Sequence, residues 1–402
     1  MKNNFQLHRV IHSFLCKYSV LLSYLLLSFQ NIDLISLEGA AMKPFHLVFI
    51  LLGTYTFLRV GVRKSIRMPL TIVLSICLIS TLSIPKYGIN TVYINYLFGI
   101  FLFLSFSGVS NVKKSQIIDQ LCCGASMILF LLVCNAVFDF QKFTSALSIA
   151  SGGSRVRADT SFIIYAGGFN LQATWVSLAS LFYLKKPKQF ALYVLFAFWI
   201  SLLYMSRVGL IAVVFSVLIW IIINKYYKNV ISIISSVVVV IPSFFLFKNH
   251  LSSNIFYVFE RFAQIGNEAG SNGRLYLWSF FGDVFYRSPL FGCGAGNAIT
   301  SMRELGYDRG EDNVHNYFFQ VLLDFGVLGF ALLSVLFIRY LRNKDIPVEL
   351  RYYVGLYLLL SFVQFRGAEP LLFFILALGF LAEKSNNNYN RDCNVGKVFS
   401  RT

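Results

Sequence analysis

The amino-acid sequence predicts an all-α polytopic membrane protein, with about twelve transmembrane helices and one long polar loop on the outer side of the membrane. The chain is 57% hydrophobic and only 13% charged, whereas soluble domains are about 45–50% apolar and about 25% charged. Its apolar residues form stretches that are separated by short basic clusters. Because backbone groups in lipid must bond to one another, such stretches are expected to be helices.

Twelve apolar stretches approach the roughly 20 residues that a spanning helix requires. They are residues 13–30, 44–58, 69–84, 91–108, 117–140, 170–184, 190–205, 208–224, 230–247, 317–338, 352–366 and 370–382. The first is interpreted as a retained span, because Ser28-Phe29-Gln30 is a poor signal-peptide cleavage site. The chain is therefore expected to divide into four parts: helices 1–9 (1–247), a long outer loop (248–316), helices 10–12 (317–383) and a polar tail (384–402).

The distribution of basic residues predicts the orientation. With the N-terminus inside, 22 of the 35 lysines and arginines face the cytoplasm, and six of the 13 outer ones lie in the long loop. Short loops rich in Lys and Arg stay inside, so both termini are expected to be cytoplasmic. The formal charge of +17 would indicate nucleic acid in a soluble protein. Here it follows the membrane orientation, and the inner cations are expected to meet anionic lipid headgroups.

The outer cations are mostly arginines, whose planar guanidinium binds phosphate in a bidentate manner. Arg207 lies in a short break (205–209, MSRVG) between two spans, where a charged residue is usually functional. Arg366 is in a similar position, although Glu369 is close enough in sequence to pair with it. These arginines predict a phosphate-bearing substrate, the alternative being ion pairs with the carboxylates of the same loops.

A polar segment, residues 313–316 (NVHN), closes the long loop and follows Glu311 and Asp312. The histidine of this segment, His315, could act as a general base near neutral pH. It could equally hydrogen-bond a phosphate or cap a helix. Glu311 and Asp312 are the rival candidates for the base.

A glycine-rich segment, residues 288–297 (SPLFGCGAGN), lies in the same loop. Neither a strand-GxGxxG-helix unit nor a Walker sequence surrounds it, so it predicts a tight backbone turn and no nucleotide site. The spacing of cysteines and histidines suggests no metal, and no cofactor is expected. Asp324 is the one acid that could couple transport to protons within the membrane, but a hydrogen-bonded structural role is favoured.

Four segments occur in an order that resembles one family. They are Arg157 with 168–173 (GFNLQA), then 206–210 (SRVGL), then 273–278 (GRLYLW) with 288–294 (SPLFGCG), and finally 315–320 (HNYFFQ) with 325–329 (FGVLG). Together with the long outer loop, they resemble the O-antigen polymerase/O-antigen ligase family (Wzy-type and WaaL-type proteins) over roughly residues 155–340. The first 150 residues match in hydropathy alone.

The resemblance implies a GT-C-like fold and an inverting, metal-independent glycosyltransferase at the periplasmic face of the bacterial inner membrane. The donor would be a glycan on undecaprenyl diphosphate. Arg157, Arg207 and Arg274 match arginines that hold the diphosphate, and His315 matches the histidine that opens the last motif. Arg207, Arg274 and His315 are therefore expected to be catalytic. The residues expected to bind substrate are Arg157, Asn170, Asn316, Arg366 and Glu311.

The choice between polymerase and ligase depends on one position. Ligases of this family often carry a second histidine, as H-x-H-N, where this chain has Asn313. A polymerase, which joins lipid-linked repeat units, is therefore favoured over a ligase, which transfers polysaccharide to lipid A-core. A polysaccharide flippase or transporter is the alternative outside this enzyme class. A polymerase would be expected to work beside a flippase and a chain-length regulator.

Overall fold

The computed structural model describes residues 18–30, 32–37, 40–107, 113–138, 164–165, 168–204, 206–225, 269–311, 313–365 and 367–382. The chain divides into two compact units. The first unit comprises residues 1–124 and 277–402, and the second unit comprises residues 125–276. The predicted span 230–247 and the predicted tail 384–402 lie outside the described residues.

The described residues are mainly helical. The helices before residue 140 are α1 (Tyr18–Ser28), α2 (Pro44–Val60), α3 (Lys64–Thr81), α4 (Ile84–Tyr87), α5 (Thr91–Ser107) and α6 (Lys114–Phe138). The next are α7 (Gly168–Ala179), which a 3-10 turn (Ser180–Tyr183) extends, α8 (Pro187–Leu203) and α9 (Arg207–Ile223). The last are α10 (Ala269–Ser279), α11 (Phe281–Arg287), α12 (Ala298–Arg303), α13 (Tyr317–Arg342), α14 (Val348–Leu360) and α15 (Pro370–Ala382).

The expectation of a helical fold is confirmed over the described residues, and one short element departs from it. A short antiparallel hairpin, β1 (Ile35–Leu37) and β2 (Ala40–Met42), connects α1 to α2. Its register pairs Ile35 with Met42, and Leu34 N donates to Met42 O at 2.8 Å. The hairpin satisfies backbone groups of this connection by pairing them with one another. The fold is otherwise helical over the residues described.

Several helices suit a membrane. Among the described residues, α3, α6 and α13 are long and apolar enough to cross one, and shorter apolar helices of 10–17 residues accompany them. Their outer faces expose large apolar side chains such as Leu58 (76%), Phe138 (87%) and Ile222 (65%). Exposed apolar surface on this scale is typical of contact with lipid. The total of twelve spans stays a prediction.

Two predicted spans differ in position from the observed helices. The span predicted at 69–84 is α3, which begins five residues earlier and ends at Thr81. Its first turn is polar and Pro69 lies inside the helix, so neither hydropathy nor the proline indicated the true start. The span predicted at 352–366 is α14, which ends at Leu360. There the chain leaves the helix, and Ser361 O accepts from Tyr317 N at 2.8 Å.

The first unit is organised around α15. Every residue of this helix is buried, and it packs against α3, α5, α13 and α14. Gly99 of α5 allows close contact with the ring of Phe373, and the Tyr340 hydroxyl of α13 donates to Ile375 O at 2.9 Å. Small residues and hydrogen bonds of this kind hold apolar helices together where lipid removes the hydrophobic driving force.

A break in α13 is the most unusual backbone feature of the first unit. Gly326 has φ 65° and ψ −167° inside the helix. The groups that the break frees are bonded by the glycine-rich turn: Cys293 N and Gly294 N donate to Leu323 O and Asp324 O at 2.8 and 2.7 Å. In return, Val327 N donates to Pro289 O at 2.8 Å. The turn therefore replaces the missing helical bonds, as a buried helix break requires.

The second unit contains a three-helix group, in which α7, α8 and α9 pack against one another. The helices approach closely at Gly209, where a Cβ would lie 2.8 Å from both Ala173 Cβ and Ser201 Oγ. The rings of Phe190 and Trp220 stack with centroids 5.1 Å apart. This packing fixes the short break between α8 and α9 in which Arg207 lies.

The close approach at the break predicts that Gly292→Ala destabilises the protein strongly. Gly292 has φ +68°, and a Cβ would collide with the backbone of Asp324 and Phe325. Left-handed backbone costs a non-glycine residue about 1–2 kcal/mol, and overpacking adds about 1–3 kcal/mol. Thermal unfolding of the detergent-solubilised protein should therefore begin at clearly lower temperature. Gly282→Ala is the matched control, because nothing lies within 4 Å of its Cβ position. Equal unfolding temperatures for the two variants would contradict this account.

Candidate functional site

The predicted site residues fall into two groups in the structure. Asn170, Arg207 and Arg274 belong to the second unit, whereas Glu311, His315 and Asn316 belong to the first unit. Three further candidates, Arg157, Arg366 and Asp312, lie outside the described residues.

Arg207 is placed by the residue before it. Ser206 is the N-cap of α9: its hydroxyl oxygen accepts from Gly209 N at 3.0 Å and lies 3.3 Å from Asn170 O, to which it donates. Arg207 is then the first residue of α9 and is half-buried. The positive end of the helix dipole and the guanidinium are therefore at the same place, which suits an anion. The backbone of one predicted residue, Asn170, therefore contacts the residue next to another, Arg207.

Gln172 stabilises the same break between α8 and α9. It was not predicted as a functional residue. Its side chain is fully buried, and Oε1 accepts from Ile164 N at 2.7 Å. Its Nε2 donates to the Tyr204 hydroxyl at 3.0 Å. Gln172 therefore links the segment before α7 to the break before α9. The only signal in the sequence was its place in the 168–173 motif.

Arg274 lies on α10, in the interior of the helix, and is half-exposed. Trp278 is one turn further along the same helix, so the two side chains share a helical face. The indole Nε1 of Trp278 donates to Val314 O at 2.8 Å, and its ring packs against Phe319. The third and fourth motifs of the sequence are therefore joined by the tryptophan.

His315 has a left-handed backbone, with φ 55°, which is uncommon for a residue other than glycine. Its own N–H donates to Asn313 Oδ1 at 2.9 Å. The preceding residue is held on both sides, because Val314 N donates to Gln320 Oε1 at 3.0 Å while Val314 O accepts from Trp278. Backbone strain of this kind persists only where neighbouring contacts hold it, and it is common at functional sites. The His315 side chain is half-exposed.

Asn316 and Glu311 flank the histidine. Asn316 is buried and is the N-cap of α13, its Oδ1 accepting from Phe319 N at 3.1 Å. Glu311 is half-buried, and its backbone oxygen accepts from Arg303 at 3.0 Å. The cap gives Asn316 a structural role that was not predicted. Substrate binding by either residue stays a prediction.

The glycine-rich turn resembles an anion-binding loop, and the chain supplies the anion itself. Asp324 is 1% exposed; its Oδ2 accepts from Gly296 N at 2.8 Å and its Oδ1 from Ala298 N at 3.2 Å. Gln320 Nε2 adds a third bond at 2.9 Å. Backbone N–H groups that converge in this way form a nest for an anion. The predicted turn and the hydrogen-bonded role of Asp324 are both observed.

Some of the cations that the sequence predicts on the outer face are paired. Lys86 and Arg287 lie 2.8 and 3.5 Å from Glu304, and the Lys86 ammonium lowers the pKa of that carboxyl. Nearby, burial raises the pKa of the Cys293 thiol well above its ordinary value, so this cysteine is a poor nucleophile. The described part of the chain contains no group of three or more side chains that could bind a metal ion.

Comparison with known families shows what part of the chain is similar to. Residues 192–334 match the family model described as O-antigen ligase. This part of the chain is therefore similar to that family. The match covers about a third of the chain and includes Arg207, Arg274 and His315, whereas Asn170 precedes it. It supports the family that the motifs resemble and does not distinguish polymerase from ligase. No curated protein matches the sequence.

Substitutions at Ser206 should separate its two roles next to Arg207. Ser206→Ala loses both the cap and the bond to Asn170 O, and loss of a cap costs about 1 kcal/mol. Ser206→Asp keeps an acceptor for Gly209 N but cannot donate to Asn170 O. Ser206→Thr keeps both functions and is the control. We expect the alanine and aspartate variants both to unfold at lower temperature than the threonine control. An alanine variant as stable as the wild type would contradict the geometry.

Proposed function

We propose that this protein is an O-antigen polymerase, which joins oligosaccharide repeat units linked to undecaprenyl diphosphate at the periplasmic face of the inner membrane. The similarity to the O-antigen ligase family supports a function of the polymerase/ligase type, a membrane glycosyltransferase and lipid-linked glycan substrates. The family and the apolar helices together point to the bacterial inner membrane. The polymerase activity, the cytoplasmic termini and the roles of individual residues are proposals.

The reaction breaks the bond between the anomeric carbon and a diphosphate oxygen of the donor. A hydroxyl oxygen of the acceptor forms the new glycosidic bond with inversion, and undecaprenyl diphosphate leaves. Negative charge develops on the leaving diphosphate, and fixed cations stabilise it. Arg207, Arg274 and Arg157 are proposed to supply these cations, and no metal ion is then required. The helix N-terminus at Arg207 is the observation that carries this proposal.

The proton of the attacking hydroxyl needs an acceptor, and His315 is proposed for this role. A general base must be held in a defined position to be effective. The bonds from Asn313, Gln320 and Trp278 hold the residues around His315 in that way. Glu311 and Asp312 remain the rival bases, and contact with phosphate remains the other role for His315. Asn170, Asn316, Glu311 and Arg366 are proposed to bind the glycan or its diphosphate.

A ligase is the second candidate and a transporter the third. Asn313, in place of the second histidine that ligases often carry, favours the polymerase. A transporter driven by protons would need a buried acid that can exchange its proton with solvent. Asp324, the acid considered for that role, is instead buried among three hydrogen-bond donors. The observation favours an enzyme. A flippase and a chain-length regulator are proposed as its partners.

Removal of the proposed diphosphate arginines should abolish long-chain polysaccharide. In a complementation assay, Arg207→Ala and Arg274→Ala should each lower polymer yield by at least about 100-fold, which is the usual scale for loss of one charge-stabilising group. Arg287→Ala is the matched control, because this outer-face arginine is half-exposed and pairs with Glu304. Long-chain polymer in both test variants, at normal protein levels, would show that the arginines do not hold the diphosphate.

The lipopolysaccharide of a strain that lacks the protein distinguishes the candidates. A polymerase deficiency should leave lipid A-core that carries one repeat unit, because ligation continues without polymerisation. Bare core with polymer accumulating on the lipid carrier would instead identify a ligase. Gel electrophoresis of lipopolysaccharide, followed by analysis of the carrier-linked glycans, gives this result directly.

A further inference from the structure

The amide of Gln320 connects the buried carboxylate of Asp324 to the histidine segment. Its Nε2 donates to Asp324 Oδ2 at 2.9 Å and its Oε1 accepts from Val314 N at 3.0 Å. Gln320 and Asp324 are both buried, with 5% and 1% of their surface exposed. A glutamine amide can rotate so that its oxygen and nitrogen exchange places. Something must therefore fix which end faces Val314.

The carboxylate of Asp324 fixes that choice. An ionised carboxylate only accepts hydrogen bonds, so it must face the Gln320 nitrogen. The Gln320 oxygen then faces Val314 N–H, which needs an acceptor. On its other side the same carboxylate is held by Gly296 N and Ala298 N. The donors and acceptors along this path are therefore ordered from the glycine-rich turn to the residue before His315.

We propose that Asp324 is a positioning residue, whose carboxylate orients the Gln320 amide and so holds Val314 and the left-handed backbone of His315 in place. The catalytic consequence rests on the proposed function, in which His315 accepts a proton. The positioning itself does not rest on the proposed function, because it concerns the hydrogen bonds and the backbone conformation alone.

An asparagine at position 324 cannot replace the carboxylate. If its NH2 group faced Ala298 N, two donors would meet. If the NH2 group faced Gly296 N, Gln320 would rotate to accept from it, and the Gln320 nitrogen would then face Val314 N–H. The first arrangement leaves Ala298 N without an acceptor but keeps the bond from Val314 N to Gln320, and the second leaves both Gly296 N and Val314 N without an acceptor. Asp324→Asn can therefore keep the histidine segment in place at a cost in the turn. Asp324→Leu, which is similar in size and accepts no hydrogen bond, leaves the Gln320 NH2 group without an acceptor and should loosen the histidine segment.

The first test measures hydrogen exchange in the purified full-length protein by mass spectrometry. In Asp324→Leu, the Val314 amide should exchange at least about tenfold faster than in the wild type. Cys293→Ser is the control, because its hydroxyl can replace the thiol that donates to Leu323 O at 3.1 Å. Its Val314 exchange should be that of the wild type. Unchanged protection of Val314 in a folded Asp324→Leu protein would overturn the proposal.

The second test uses Gln320→Glu and remains informative if Asp324→Leu does not fold. In its protonated form, the introduced carboxyl group donates to Asp324 and accepts from Val314 N, as glutamine does. Raising the pH removes that proton and leaves two adjacent carboxylates, which repel. Cys293 and Tyr96 also interact with Asp324, but thiols and phenols normally ionise above about pH 8. Val314 exchange, corrected for its chemical pH dependence, should rise with pH more steeply in the variant than in the wild type, in which Asp324 is the one carboxyl group among the described residues that bonds to residue 320. A flat profile would contradict the proposal.

The third test measures turnover with a lipid-linked donor. Asp324→Leu should lower kcat at least about tenfold with little change in KM, because this network contacts the histidine segment and not the arginines. Combining Asp324→Asn with Gln320→Glu should restore part of the kcat that Gln320→Glu loses at high pH, since the introduced carboxylate can accept from both the introduced amide and Val314 N. No recovery in the double variant would overturn the positioning role. If the exchange results hold while the wild type forms no polymer, the proposed function fails and the positioning stands.

Discussion

The buried carboxylate of Asp324 is the interaction on which the first unit's candidate site depends. It lies beside a break in α13, where a helix inside an apolar environment loses some of its own hydrogen bonds. The glycine-rich turn supplies replacements for the freed backbone groups, and the carboxylate fastens the rest of the turn through Gly296 N and Ala298 N. Gln320 extends the same network to Val314. The helix break, the turn and the histidine segment therefore form one hydrogen-bonded structure.

The second unit contains a comparable break between two helices, which fewer side chains stabilise. The break between α8 and α9 is closed by Ser206, which caps α9 and bonds to Asn170 O. Gln172 ties the preceding segment to Tyr204. Each hydrogen-bonded network therefore reaches a polar residue at a helix start, Arg207 at the start of α9 and His315 just before α13. In each, buried amide or hydroxyl groups hold the backbone, so the charged or titratable residue has a defined position.

Much of this arrangement could be predicted from the sequence, for identifiable reasons. Hydropathy alone identified the apolar helices, since membrane helices are limited by length and composition. The starts of α13 at Tyr317 and of α15 at Pro370 coincide with the predicted spans. Hydropathy failed at α3, where a polar first turn and Pro69 hid the helix start, and at the hairpin, which carries no strong strand pattern. The four motifs identified residues that the structure places at the starts of α9 and α13.

The contacts within the site could not be predicted. The glycine-rich segment indicated a turn, but nothing in its spacing showed that Asp324, nearly 30 residues later, fills it. Gln320 and Gln172 resemble ordinary polar residues near helix starts, because their importance lies in which backbone groups they meet after folding. The capping role of Asn316 was also not predicted, because the sequence indicated only a contact with substrate.

The most direct test of the account is the product formed by the purified protein in liposomes. Given only a repeat unit on undecaprenyl diphosphate, the protein should release undecaprenyl diphosphate and produce longer carrier-linked chains. Mass spectrometry of the extracted lipids would show a ladder that increases by one repeat unit per step. Movement of the glycan across the bilayer without any new glycosidic bond, or bond formation only after lipid A-core is added, would contradict the proposed polymerase.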